Sequence, residues 1–159
     1  MPFDTMTVGA DGKLTWLFAK GSSAYMGRKR YRATAVVIQD GKILLVKDKH
    51  KDDWSMPGGG FKHHENTIKA CIREVTKEEI GGLKVLSSER LRQCDFEGQR
   101  AKHKVALLTV KGTPYIKAKD ELKDEILWWN MKDKIKAQGH VYYILNKLDF
   151  IQREENKWG

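Results

Sequence analysis

Residues 57–83, PGGGFKHHENTIKACIREVTKEEIGGL, constrain this chain more than any other stretch. The glycines after Pro57 force a turn. Beyond them Ile68, Cys71, Ile72 and Val75 recur at the three- and four-residue spacing of one apolar helix face. The same short segment carries Glu65, Glu74, Glu78 and Glu79. Carboxylates held close together by a turn and a helix are what an enzyme needs to keep magnesium beside a phosphate chain.

The segment resembles the Nudix hydrolase signature, G-x5-E-x7-R-E-U-x-E-E-x-G-U, where U is a bulky aliphatic residue. Gly59, Glu65, Arg73, Glu74 and Val75 fall on its first five fixed positions without a gap. The second half departs from it. Ungapped, Lys77 takes the first place of the Glu-Glu pair and Ile80 that of the glycine; one extra residue near Thr76 or Lys77 restores Glu78-Glu79, Ile80 and Gly81. At about 100° per residue, Glu74 and Glu78 lie about 40° apart beside the apolar face of a regular helix. The same regular helix drives Glu79 into that face and turns Ile80 away. A one-residue π-bulge swings Glu79 back over Glu74 and returns Ile80 to the core, and such bulges are frequent at functional sites. The bulge is the expectation; whether Glu78 or Glu79 is the main partner of Glu74 stays open.

The resemblance implies an α/β fold, a Nudix-like α/β/α sandwich with a mixed β-sheet. It also implies magnesium as the cofactor, with manganese as a substitute. It makes Glu74, Glu78 and Glu79 metal ligands together with the Gly59 carbonyl, and it pairs Glu65 with Arg73 to fix the loop-helix corner. Arg73 and Glu74 thereby join the catalytic set with Glu78. The family often takes its general base from a loop outside the signature, and Glu121 and Glu125 are the nearest candidates, with Asp120 behind. Each acid also has an ordinary explanation as solvated charge, with Lys69 and Lys77 close enough for weak helical pairing.

The 159-residue length suits a single domain spanning 1–159, large enough for one hydrophobic core. Only two cysteines occur, Cys71 and Cys94, without metal-thiolate spacing, which fits a reducing cytoplasm. The N-terminal stretch lacks a basic n-region and an apolar h-region, and no apolar run approaches spanning length, so no membrane is expected. The net charge of +9 is partly clustered. Arg28 to Arg32, then Lys47, Lys49, His50 and Lys51, then Lys62, His63 and His64 form three groups, the last two flanking the signature loop. A nucleotide, another polyphosphate or an RNA 5′ end suits such a rim, with Arg32, Lys47, Lys49 and Lys62 as binding candidates. The bland alternative is a surface that is merely soluble.

Along the chain, Thr5 to Phe18 reads as a hairpin broken at Asp11-Gly12, and Gly21-Ser22-Ser23 as a loop. Tyr31–Gln39 and Lys42–Lys47 read as a second hairpin around Asp40-Gly41. The signature helix should run from Glu65 to Ile80, followed by strands at Lys84–Phe96, Lys102–Val110 and Glu125–Trp129. A C-terminal helix is expected over about 138–156, with Tyr142, Leu145, Leu148 and Phe150 partly inward. Strands and helices intermix without a repeating unit, which favours a mixed sheet between helices over a doubly wound one. The resemblance extends over roughly 32–136.

The resulting expectation is metal-dependent hydrolysis of a diphosphate linkage in a nucleoside di- or triphosphate derivative. Two alternatives stand beside it: a non-catalytic Nudix-fold module that binds nucleotide or RNA, and an RNA 5′-end pyrophosphohydrolase. Some Nudix subfamilies carry a proline or tyrosine at a set distance after the signature, marking ADP-ribose or dinucleoside polyphosphate hydrolysis. Residues 84–104 contain neither, so the resemblance gives those two substrates less support. Phe96, Trp128 and Trp129 are candidates for base stacking, though buried packing is the commoner fate of such rings. Either a monomer or a homodimer is compatible with the sequence.

Overall fold

The computed structural model describes residues 5–8, 14–17 and 29–151. Two short strands, β1 (Thr5–Val8) and β2 (Leu14–Leu17), pair antiparallel as the arms of the expected first hairpin; its Asp11-Gly12 turn lies outside the described residues. The Gly21-Ser22-Ser23 loop lies outside the described residues, as do 152–156 of the expected C-terminal helix.

The main sheet is built on β3 (Arg30–Gln39) and β4 (Lys42–Asp48), joined by Asp40-Gly41. Both turn residues are left-handed, with φ of 53° and 74°, the geometry that a two-residue hairpin turn requires. Their pairing lasts only from Gln39–Lys42 to Ile38–Ile43 before the strands splay apart. Two short strands fill the gap: β5 (Trp54–Ser55) pairs with β4, and β6 (Gly58–Gly59) with Ala33 and Thr34 of β3. The glycine turn is thus wedged into the sheet itself.

Helix α1 (Thr67–Arg73) follows, capped by the Asn66 side chain on the Lys69 N–H at 2.8 Å, and continues into a π-helical turn over Glu74–Glu78. Strand β7 (Ile80–Arg90) leads through a 3₁₀ turn at Arg92–Cys94 to β8 (Phe96–Glu97). Then come β9 (Ala101–Ile116), β10 (Leu122–Trp129) and helix α2 (Gly139–Lys147). The strand order is β10-β4-β3-β9-β7, with β3 and β9 parallel and the other neighbours antiparallel: a mixed sheet.

Alternation along the central strands sends side chains to two cores. Ala33, Ala35 and Val37 meet Ala70, Cys71 and Val75 beneath α1. Val36, Ile43, Leu45 and Val105 meet Val141, Ile144 and Leu145 beneath α2. A helix on each face of a mixed sheet is the α/β/α sandwich that the sequence implies.

Several boundaries differ from expectation. The signature helix starts at Thr67, because Asn66 caps it, and ends before Ile80, which opens β7 and is fully buried. The expected strand at 84–96 begins earlier and breaks after Arg90, where the 3₁₀ turn buries Leu91 and Cys94. Helix α2 stops at Lys147. Its Tyr142 and Leu145 are buried, but Phe150 lies beyond the helix end and is exposed.

Candidate functional site

The π-turn determines which glutamates meet. The Glu79 N–H donates to the Glu74 carbonyl at 2.9 Å, a five-residue step in place of the usual four. Thr76 donates its hydroxyl to the Ile72 carbonyl at 2.7 Å at the same place. The extra residue brings Glu79 to the side of Glu74 and sends Ile80 into the core, as the bulged register requires. Glu74 and Glu79 are both buried, whereas Glu78 is exposed, with its carboxylate 3.8 Å from Lys62.

The glycine turn closes over these acids. A Cβ on Gly59 would run into the Glu74 carboxylate, and one on Gly58 into the Ala33 carbonyl, so only glycine lets the wedge approach both. The Gly58 N–H donates to Glu79 Oε1 at 2.9 Å. Burial pushes the Glu79 carboxyl up to about 8, opposed by Arg32 and the Gly58 hydrogen bond and reinforced by Glu74 and Asp48. Burial raises Glu74 as well, with Arg73 pulling the other way.

Arg73 ties the corner together. Its Nε and Nη2 donate to the two Glu65 oxygens at 2.6 and 2.8 Å, Nη1 to Glu74 Oε2 at 3.0 Å, and Nη2 also to the Gly60 carbonyl at 2.8 Å. Glu65 in turn accepts the Lys62 N–H at 2.8 Å. The Arg73 hydrogen bonds draw the Glu65 carboxyl down to about 2. This is the pairing the resemblance implies for Glu65.

A cleft of about 560 Å³ opens beside Glu79 and Gly58, at the splay between β3 and β4. Arg32 reaches into it, donating to Thr34 Oγ1 at 3.0 Å and the Met56 carbonyl at 2.9 Å. Glu121 and Phe96 line it too. Other expected residues stand elsewhere. Glu125 is half-exposed on β10, 3.5 Å from Lys47, whose ammonium also lies over the Trp54 ring. Lys49 donates to the Lys119 carbonyl at 2.8 Å, and the exposed Lys62 ammonium lies 3.8 Å from Glu78; neither lines the cleft. Trp129 is buried with its indole N–H on the Asp133 carbonyl, and Trp128 packs against the α1-side core.

Sequence reasoning missed the far wall of the cleft. Asp48, Asp53, Gln138, His103 and His140 line it. Phe96 is stacked on Tyr143 and on His103, at 4.1 and 5.0 Å between ring centroids, and His103 on His140 at 4.8 Å. Phe96 therefore enters the cleft as part of a ring column. The Met56 N–H donates to His140 Nε2 at 3.2 Å, which puts the proton of a neutral imidazole on Nδ1. Burial lowers both histidines, His103 to about 4. The one local signal was His103, a polar residue at an inward-facing position of the apolar strand β9.

A NUDIX domain match spans residues 29–141, most of the chain and slightly more than the stretch read from the sequence. This chain belongs to the Nudix family. It is 30% identical over 117 residues to the m7GpppN-mRNA hydrolase of Saccharomyces cerevisiae, a match covering 67% of this chain but only 11% of that relative. Among solved structures, one described as a Nudix hydrolase family member, from Chromobacterium violaceum, aligns with a TM-score of 0.61 at 25% identity, covering 82% of this chain and 84% of that one. An ADP-ribose pyrophosphatase from Streptococcus suis aligns at 0.53 and 19%, covering 80% and 94%, a likeness of fold. The family is that of the Nudix hydrolases, and the chain spans only about a tenth of the length of the yeast relative it matches.

Proposed function

We propose that this enzyme hydrolyses a diphosphate linkage in a nucleotide derivative, using magnesium held chiefly by Glu74 and Glu79. The observation that carries this reading is the pair of buried carboxylates gathered by the π-turn against Gly58-Gly59, both raised by burial, with the Glu74 charge raising Glu79 further. Two mutually repelling buried acids are costly on their own and are suited to a shared divalent cation. Among the described residues, no three acidic, histidine or cysteine groups form a complete metal cage. Two carboxylates with a backbone carbonyl suit an ion that keeps several of its own waters, as magnesium does. The Gly59 carbonyl is the backbone candidate, and exposed Glu78 is a ligand at the mouth rather than at the centre.

Bound there, the metal would supply charge neutralisation and an acidified water. The protein's own groups account for the rest. Arg73 is committed to Glu65, Glu74 and the Gly60 carbonyl, so it orients a ligand instead of meeting substrate. Arg32 offers positive charge in the cleft, within electrostatic reach of both buried acids. Of Glu121 and Glu125, Glu121 is the better general-base candidate, because it lines the cleft while Glu125 is engaged by Lys47.

A second reading, the 5′ end of an RNA as substrate, is favoured by the 30% identical yeast relative together with the net charge of +9. Assaying nucleoside triphosphates, nucleoside diphosphate derivatives and 5′-capped or triphosphorylated RNA with magnesium, and identifying the phosphate product, tests both. Affinity without phosphate release across the whole panel would leave only the binding-module alternative.

A further inference from the structure

A second concavity, of about 640 Å³, lies on the opposite side of the sheet from the cleft, beside α1. Tyr31, Phe61, Arg92 and Lys104 contribute to its walls. Tyr31 is 53% exposed, and the ammonium groups of Lys102 and Lys104 sit 5.3 and 5.2 Å from its centroid. Arg92 is exposed at the far wall. The acid in this wall, Glu65, is already neutralised by Arg73. Asp95 is held by Arg90 through two hydrogen bonds of 2.8 and 2.7 Å and has the Lys104 ammonium 3.9 Å away, so that one acid is set against Arg90, Arg92, Lys102 and Lys104. Positive charge and an open aromatic face are therefore what the groove presents.

Strand alternation links this groove to the cleft. In the parallel β3–β9 pair Tyr31 stands opposite Lys102, and the next pair is Arg32 and His103. Tyr31, Lys102 and Lys104 share one face, while Arg32 and His103 line the cleft on the other. The turn that enters β9 carries Gly98, Gln99 and Arg100, all on the cleft wall. The two concavities thus adjoin the same strand ends, separated by the thickness of the sheet. A mononucleotide in the cleft cannot reach the groove; a polymer leaving over the Arg100 turn can.

We propose that the Tyr31–Lys102–Lys104–Arg92 groove holds the strand of a single-stranded polynucleotide whose 5′ phosphates occupy the cleft. This rests on the reading of the cleft as a pyrophosphate-hydrolysing site and narrows its substrate class. Lysines take the phosphates and the Tyr31 face takes a base, the combination by which sequence-tolerant single-strand binding works. Arg100, on the cleft side of the turn, stands where the strand would pass from one face to the other.

The test uses fluorescence anisotropy on magnesium-free full-length protein, so that binding is read independently of hydrolysis. The probes are a 5′-triphosphorylated 12-nucleotide RNA, the same sequence as single-stranded DNA, a nucleoside triphosphate and poly-glutamate. The RNA should bind at least tenfold more tightly than the nucleoside triphosphate. Lys102→Gln/Lys104→Gln should weaken it fivefold or more and flatten its salt dependence by ~1.4 in log–log slope, at about 0.7 per phosphate contact on a single strand. Tyr31→Ala should weaken the RNA without changing that slope. Neither variant should alter hydrolysis of the nucleoside triphosphate. Equal RNA affinity in all three proteins, or equal binding of poly-glutamate, would overturn the proposal. Preference for RNA over DNA identifies the strand as RNA, and the reverse identifies it as DNA. Hydrolysis of nucleotides with no groove effect leaves the cleft reading intact and removes this one. RNA binding through the groove with no hydrolysis of anything does the opposite.

Discussion

Glu65, where the turn-and-helix segment begins, and Glu79, where it ends, hold their carboxyls in opposite states. Glu65 is gripped by two hydrogen bonds from Arg73 and drawn down to about 2. Glu79 is buried against a neutral amide and pushed up to about 8. The first arrangement is complete in itself: charge, countercharge and corner geometry satisfy one another. The second carries a desolvation cost that the Gly58 hydrogen bond and the more distant Arg32 offset only in part. Structural acids come with their partner, and acids meant for a ligand are left wanting one. Glu74 stands between the two, oriented by Arg73 yet raised by burial.

Removing charge from the two ends should therefore have different consequences. Glu74→Gln and Glu79→Gln are each expected to lower turnover by on the order of a hundredfold or more, since metal activation carries most of the chemistry. Glu78→Gln, at the exposed mouth, should cost only a few-fold. Turnover measured against magnesium concentration checks the ranking. A variant of Glu78 more damaging than that of Glu79 would reverse the assignment of the two acids.

At the corner the effect should appear in stability. Arg73→Met leaves Glu65 and Glu74 without their shared cation and frees the Gly60 carbonyl, a loss of ~2 kcal/mol for a partly buried charged network. Urea unfolding with unchanged slope would report it, and Glu65→Gln should lose less because an amide keeps some of the hydrogen bonds. If Arg73→Met lost activity with no change in unfolding midpoint, the guanidinium would be acting on substrate.

How much of this was legible in the sequence depends on how local the cause is. The bulge was readable because two local patterns conflicted: the apolar face ending at Val75 and the Glu78-Glu79 pair cannot both be served by a regular helix. The Asp40-Gly41 turn and the alternation of Ala33, Ala35 and Val37 were equally local. The cleft's far wall was not, because Asp48, His103, Gln138 and His140 converge only through the splay of β3 from β4. No spacing in the chain encodes that splay, which follows from the wedge of Gly58-Gly59 into the sheet. Proximity in sequence likewise does not separate Glu121, which lines the cleft just before β10, from Glu125, which faces Lys47 on that strand.

Acidity should separate the two ends more finely. Glu79 has a folded value of about 8 against an ordinary 4.5, so the folded state keeps a proton that the unfolded chain gives up. Its contribution favours folding at low pH and is lost as pH rises from about 4.5 to about 8. Glu65 works the other way: its contribution is full above 4.5 and lost as pH falls towards about 2. Thermal unfolding in chelator should show the lower slope directly and the upper one as the difference between the parent and Glu79→Gln, because the lowered His103 and His140 add an opposite slope below about 6.5. Glu79→Gln should flatten the upper one and leave the lower, and Glu65→Gln the reverse. Magnesium should flatten the upper slope in the parent protein, because a cation at Glu79 replaces the proton. An upper slope unchanged in Glu79→Gln would mean that another group titrates there.

The smallest expected effect lies between the two ends. Lys77 is exposed within the π-turn, and its position is the one the ungapped signature would give to a glutamate. In a regular helix its ammonium would lie near Glu74 and compete with a cation there, and Lys77→Glu would raise metal affinity or turnover. The observed turn already supplies that place with Glu79, through the five-residue hydrogen bond to the Glu74 carbonyl. Lys77→Glu should accordingly change turnover and magnesium dependence less than twofold. Its effect on stability should stay within the ~0.5 kcal/mol typical of exposed substitutions. A large gain in magnesium affinity would mean that the turn relaxes to the regular register in solution, and Glu78 would then take over the role assigned to Glu79.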